Sequence, residues 1–277
     1  MGMMRQALFI LAIGVCAPAW TQSANTDDAA ARKQRWLDLQ HAIFADRSIE
    51  DGEGVLQLEA PERALDAALV PLTITTKGTQ PIKTIHLIID NNPGPLAGRF
   101  TFGEVADASE LKVRMRVNTY TDIHAVAETA DGKLYAVQKF VKAAGGCSAP
   151  AGSNDPKALQ DIGQMRLKLP SEIAPGKPLQ AQLMIRHPNF NGMQMDQLTR
   201  HYTPAHFIKT IDISFEGKPV LHIDSDIALS TDPVIGFGFV PNGKGELKVI
   251  VNDSKGQRYE KSFDVIPTEM MSKATAR

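Results

Sequence analysis

The chain has 277 residues, enough for one large domain or two of ordinary size, with 43% hydrophobic and 22% charged residues, as in soluble globular proteins. Thirty basic residues against 31 acidic ones leave a formal net charge of −1, and no Lys/Arg cluster stands out. That excludes a polyanion-binding protein of the nucleic-acid type.

The N-terminus reads as an export signal. Arg5 precedes an apolar stretch from Ala7 to Val15 that is too short to span a bilayer, and small residues follow at Ala17-Pro18-Ala19 and Ser23-Ala24. The expected signal peptide is residues 1–24, which implies an exported, periplasmic protein with no stable membrane insertion. Cys16 follows Val15 where a lipidation motif wants a small residue, so a lipid anchor is disfavoured.

Helical spacing of Trp36, Leu39, Gln40 and Ile43 predicts a short helix from Asp27 to Asp46, packed across the first domain. From Val55 onward the period becomes two. Strands are expected at Val55–Leu58, Leu69–Thr76, Ile82–Asp90, Arg99–Glu104 and Leu111–Thr119, then at Asp122–Thr129 and Lys133–Lys142 across an Asp131-Gly132 turn. In the fifth, Leu111, Val113, Met115 and Val117 face one way, and Lys112, Arg114, Arg116 and Asn118 the other. The cluster Asp90-Asn91-Asn92-Pro93-Gly94-Pro95 breaks the pattern. Short strands at this spacing predict an antiparallel immunoglobulin-like sandwich over residues 27–142.

Residues 143–162 have the small, polar composition of a flexible linker. A second strand series follows over 163–267: Gln164–Leu169, Leu179–His187, Phe207–Phe215, Pro219–Asp224, Val234–Val240, Leu247–Asn252 and Tyr259–Val265. Phe207, Ile211, Ile213 and Phe215 share one parity, with Lys209 the exception. The expected fold is all-β, with two immunoglobulin-like β-sandwich domains and a flexible tail at 268–277.

Once the signal is removed, Cys147 is the one cysteine left, so no internal disulfide can form. Its neighbours, Gly145, Gly146, Ser148, Ala149 and Pro150, do not build a core strand, and an exposed thiol is expected. Gly145 and Gly146 remove bulk beside the sulfur and free the backbone, which suits an atom that must enter another protein's active site. A catalytic cysteine is instead packed beside a base. The pattern favours a carrier over an enzyme.

The C-terminal half also holds His187, His201, His206 and His222, with Met193 and Met195 beside a loop, His187–Gly192, that looks exposed. The spacings match no zinc signature, so surface or hydrogen-bonding roles are expected and no metal is assigned; a metal-handling protein remains a minor alternative. There is no nucleophile elbow, phosphate-cradling loop or dinucleotide fingerprint.

Several stretches resemble a known family. Val70-Pro71-Leu72-Thr73, Ile89 to Ala97, Val113-Arg114-Met115-Arg116 and Val141 to Cys147 resemble SoxY, the sulfur-carrying subunit of the periplasmic thiosulfate-oxidising system. Ile185-Arg186-His187-Pro188 and Pro204 to Ile208 resemble its partner SoxZ. The order in one chain is similar to the fused SoxYZ-like carriers associated with periplasmic quinoprotein (PQQ) dehydrogenases. The resemblance implies that Cys147 covalently carries a sulfur intermediate on an arm made flexible by Gly145 and Gly146, with no other cofactor, between periplasmic redox enzymes. In that family the arm is a free chain end with trailing glycines. Here Ser148-Ala149 follows and the chain continues, so the arm is tied at both ends. An adapter module for a quinoprotein dehydrogenase, with the thiol incidental, is the alternative.

Overall fold

A computed structural model describes residues 28–149, 159–196 and 199–268. The expected signal peptide with Cys16, the middle of the linker and nearly all of the tail lie outside the described residues. Among the described residues no helix is long and apolar enough to cross a membrane.

The helix α1 (Ala29–Phe44) is capped by Asp28, whose side chain accepts from the Ala30 N–H. In the first half the strands are β1 (Ile49–Asp51), β2 (Leu56–Glu59), β3 (Val70–Thr76), β4 (Ile82–Ile89), β5 (Leu96–Phe102), β6 (Ala106–Met115), β7 (Thr121–Thr129) and β8 (Leu134–Val141). In the second they are β9 (Met165–Lys168), β10 (Leu179–Ile185), β11 (Ile208–Phe215), β12 (Lys218–Ser225), β13 (Val234–Phe239), β14 (Gly245–Asp253) and β15 (Arg258–Val265). The predicted strands are all present. The addition is β1, three residues that pair in parallel with β8 and are too short to show a period.

The fold is all-β, with the helix α1 at its start, and each half is a sandwich as expected. The sequence does not convey how the halves join. A nine-stranded sheet runs β1-β8-β7-β4-β5-β12-β11-β14-β15, and a six-stranded sheet runs β2-β3-β6-β13-β10-β9. Both cross from one half to the other. In the larger sheet β5 pairs antiparallel with β12, Phe100 opposite Ile223 and Phe102 opposite Leu221. In the smaller, β6 pairs with β13, Lys112 opposite Gly236 and Ala106 opposite Phe239. One apolar cluster, from Val55 to Val265, fills the space between the sheets through both halves.

Alternation accounts for most of the burial. In β6, Leu111, Val113 and Met115 are buried while Lys112 and Arg114 are exposed. β4 is buried on both faces because α1 covers its outer side. Phe44, with Trp36, Leu39 and Ile43, packs on Ile88, Val126 and Leu134, and the Trp36 ring stacks on His124 at 3.6 Å between centroids. The Lys209 exception in β11 has a local cause. A β-bulge between Ile208 and Thr210 shifts the register against β14, so Ile208 turns inward and Lys209 outward.

Shared sheets and a shared core predict one unfolding event. In denaturant, the fluorescence of Trp36, on the first half, and the far-ultraviolet circular dichroism of the whole chain should give coincident transitions. Two separated midpoints would mean that the halves unfold independently.

Candidate functional site

The strand alternation of β6 stops at Met115, and the next residues form the floor of the site. The Arg116 N–H donates to Ala228 O at 2.7 Å and the Val117 N–H to Ala67 O at 2.8 Å. Asn92, from the Asp90–Pro95 breaker cluster, ties this floor down: its Nδ2 donates to Arg116 O at 2.8 Å, and its Oδ1 accepts from the Asn118 N–H at 2.9 Å.

The glycine pair lies on this floor. Gly145 N–H donates to Asn118 O at 2.7 Å and Gly146 N–H to Val117 O at 3.1 Å. Gly145 has φ +78°, and its carbonyl accepts from the N–H groups of Ser148 and Ala149, closing a turn with Cys147 inside it. Gly146 is required for a different reason. A Cβ there would sit 2.1 Å from Ala67 O and 2.5 Å from Val117 O. Gly145 therefore serves the turn, and Gly146 the close packing of a bound segment. Residues 143–149, expected to begin a flexible linker, are here hydrogen-bonded to the floor.

Cys147 is 1% exposed, which corrects the expectation of an exposed thiol. Two side chains hold the backbone around it. Arg116 Nη1 donates to Gly146 O at 3.2 Å, and Asn191 Nδ2, from the second half, donates to Cys147 O at 2.7 Å. Arg116 is itself 1% exposed, although strand parity placed it outward; past the end of β6, the second half closes over it. Its Nη2 donates to Thr231 Oγ1 at 2.6 Å, and Thr231 Oγ1 in turn donates to Pro188 O. Burial pushes the Cys147 thiol up to about 11, against the smaller opposing pull of Arg116. Burial likewise lowers Arg116 below its ordinary value, countered by Cys147 and then Asp66. Among the described residues no histidine or carboxylate is hydrogen-bonded to Cys147 Sγ.

The loop from His187 to Gly192, expected to be exposed, is largely buried: His187 is 1% exposed, Asn189 0% and Asn191 6%. Asn189 pins it by donating from Nδ2 to Ser230 O and accepting from the Ile208 N–H. Of the four C-terminal histidines, the structure brings together two, His187 and His206, with Asp253, their ligand atoms within 4.8 Å of one another. His201 is exposed, and His222 lies on β12 beside Asp212 and Asp224.

The hydrogen bonds decide what the buried trio does. The Asn189 N–H donates to His187 Nδ1 at 3.1 Å, so in the neutral ring the proton resides on Nε2. His187 Nε2 lies 3.7 Å from Asp253 Oδ2, beyond hydrogen-bond distance, while His206 Nε2 lies 2.7 Å from the same oxygen. A metal on His187 Nε2 would require moving the proton to Nδ1, against the Asn189 N–H. The trio is arranged with His206 hydrogen-bonded to the carboxylate and the His187 N–H turned toward it. Burial lowers His187 to about 4, which keeps it neutral near pH 7.

Arg116, Thr231 and Asn191 are the site residues that sequence reasoning did not single out. Arg116 belongs to the Val113–Arg116 stretch that resembles SoxY, but nothing local marks it as buried.

Residues 40–147 match the family model of the sulfur oxidation protein SoxY, and residues 165–264 match that of the sulphur oxidation protein SoxZ. The first match ends on Cys147. No curated protein matches the chain. Among solved structures, the sulfur carrier protein SoxY from Chlorobium limicola f thiosulfatophilum is 26% identical; the match covers 41% of this chain and 96% of that one, with a TM-score of 0.36. A β-glycosidase from Bacteroides vulgatus is 10% identical over 76% of this chain and 24% of that one, with a TM-score of 0.23.

Proposed function

Since the chain belongs to the fused SoxYZ-like carriers of sulfur oxidation, we propose that Cys147 is the residue on which the cargo is covalently held. The protein acts after export to the periplasm, directed by residues 1–24, and hands its sulfur-containing intermediate between sulfur-oxidation enzymes without itself catalysing a step. The observation that carries this reading is the placement of Cys147 at the end of the SoxY match, in a turn held against a strand end by a handful of hydrogen bonds.

Docked, the thiol is buried and protonated at neutral pH, and among the described residues no base stands ready to ionise it. Released, it regains an ordinary thiol pKa of about 8.5 and becomes a usable nucleophile. The docked state therefore protects the sulfur, and the released state exchanges cargo. Partner enzymes supply the chemistry.

Burial also favours a second reading, an adapter for a periplasmic quinoprotein dehydrogenase in which the thiol is incidental. Intact-mass measurement of protein purified from its native compartment separates the two. The carrier reading expects an adduct of defined mass, lost on reduction and absent from Cys147→Ser. Unmodified wild-type protein, together with full function of Cys147→Ala in cells, would replace it with the adapter.

A further inference from the structure

Arg116 carries a charge that its own hydrogen bonds do not need. The guanidinium is 1% exposed, and arginine is seldom fully buried without an anionic partner. Its donors meet neutral acceptors, Gly146 O and Thr231 Oγ1, and its Nε is buried without any hydrogen-bond partner. Among the described residues it forms no ion pair with a carboxylate. Holding a carbonyl and a hydroxyl would be served by a neutral amide, which would avoid burying a cation. The group whose ionisation it feels most is Cys147.

We propose that Arg116 makes the docking site of the Cys147 arm selective for an anionic cargo, its guanidinium pairing with the negative oxygens of a sulfonate-type group attached to Sγ. This rests on the carrier reading of Cys147 and adds to it the residue that discriminates among cargoes. With a bare thiol the buried cation lacks a counter-charge. With an anionic adduct it gains one, and its planar fork suits two oxygens of one sulfonate as it suits a carboxylate or phosphate. A neutral adduct adds bulk to the same space and supplies no charge. The docked arm is thus stabilised by the charge of what it carries.

Two reagents load Cys147 with adducts of different charge. Tetrathionate reacts by attack of the thiolate on a sulfane sulfur; an S–S bond forms, an S–S bond breaks, thiosulfate leaves and the thiol proton goes to solvent, giving Cys–S–S–SO3⁻. Methyl methanethiosulfonate reacts in the same way, releasing methanesulfinate and leaving the neutral Cys–S–S–CH3. Each form of the full mature chain is verified by intact mass and its Tm measured. The sulfonate form should melt higher than the methylthio form by roughly 2–4 °C, a shift expected of one modest charge interaction in a chain of this size. The larger adduct is the favoured one, so bulk works against the expected order. Arg116→Lys should retain the order and Arg116→Met reverse it.

Equal melting of the two wild-type forms, or a higher Tm for the methylthio form, would overturn the role of Arg116 while leaving Cys147 as a carrier. Failure of the folded chain to take up either reagent would overturn the carrier reading and the proposal with it. The wild-type comparison stands even if Arg116→Met does not fold.

Discussion

Folded protein should react with an aromatic disulfide reagent at pH 8 between about tenfold and two hundredfold more slowly than the same chain unfolded in denaturant. The upper figure is the ratio of thiolate fractions for a pKa of about 11 against one of about 8.5. The greater nucleophilicity of the more basic thiolate recovers part of the difference, and the 1% exposure of Cys147 restores some of it. The pH profile carries the same information. The native rate should climb steadily from pH 7 to 10, where an ordinary thiol levels off. Stability follows the opposite course. The folded state holds its thiol proton more tightly than the unfolded state, so the stabilisation is complete below about pH 8.5 and is lost as the pH rises towards 11. Native and unfolded rates that coincide would show that the thiol spends its time outside the docked turn.

The second large effect belongs to Gly146→Ala. Its methyl group would meet Ala67 O at 2.1 Å and Val117 O at 2.5 Å, and both contacts are backbone that cannot swing aside. Overpacking of this kind costs roughly 1–3 kcal/mol, but the segment has a way to escape it. It can leave the floor, so the cost appears as release of the arm, with the core between the sheets unchanged. The expected outcome is a native thiol that reacts at nearly the unfolded rate in a protein whose denaturation midpoint moves little. Gly145→Ala is the comparison. Its nearest neighbour would be Ser148 Oγ at 3.7 Å, so its cost is only the φ of +78°, about 1 kcal/mol. It should release the arm less. Wild-type protection in Gly146→Ala would refute the docked geometry.

These two glycines show where sequence and structure part. Small residues around a cysteine have two physical meanings: a chain with little to bury, and a chain that must approach another backbone closely. Composition alone cannot separate them, because the deciding atoms, Ala67 O and Val117 O, lie far away in sequence. The strands were legible because alternation is a local signal that survives from Leu111 to Met115. The same signal placed Arg116 outward, where parity had no more authority once the strand ended and the second half lay above it. The bulge at Ile208 was visible only as an exception at Lys209. The seams between the halves left no mark, since β5 and β12 read like strands of any sheet.

Those seams have a consequence for assembly. A strand edge can be bonded once, and the chain has spent the inner edges of both halves on itself: β5 on β12 and β6 on β13. A free homologue of either half has no vacant strand there to exchange into, so the ratio of the two parts is locked at one to one and subunit swapping along that line is closed. The edges that remain belong to β1, β2, β9 and β15. Three of these are only three or four residues long, and β15 presents exposed Arg258, Glu260 and Lys261 to any strand that would join it. Short and charged borders discourage sheet-to-sheet growth. Neither sheet is thereby offered a long, apolar border on which a strand of a second copy could be laid down.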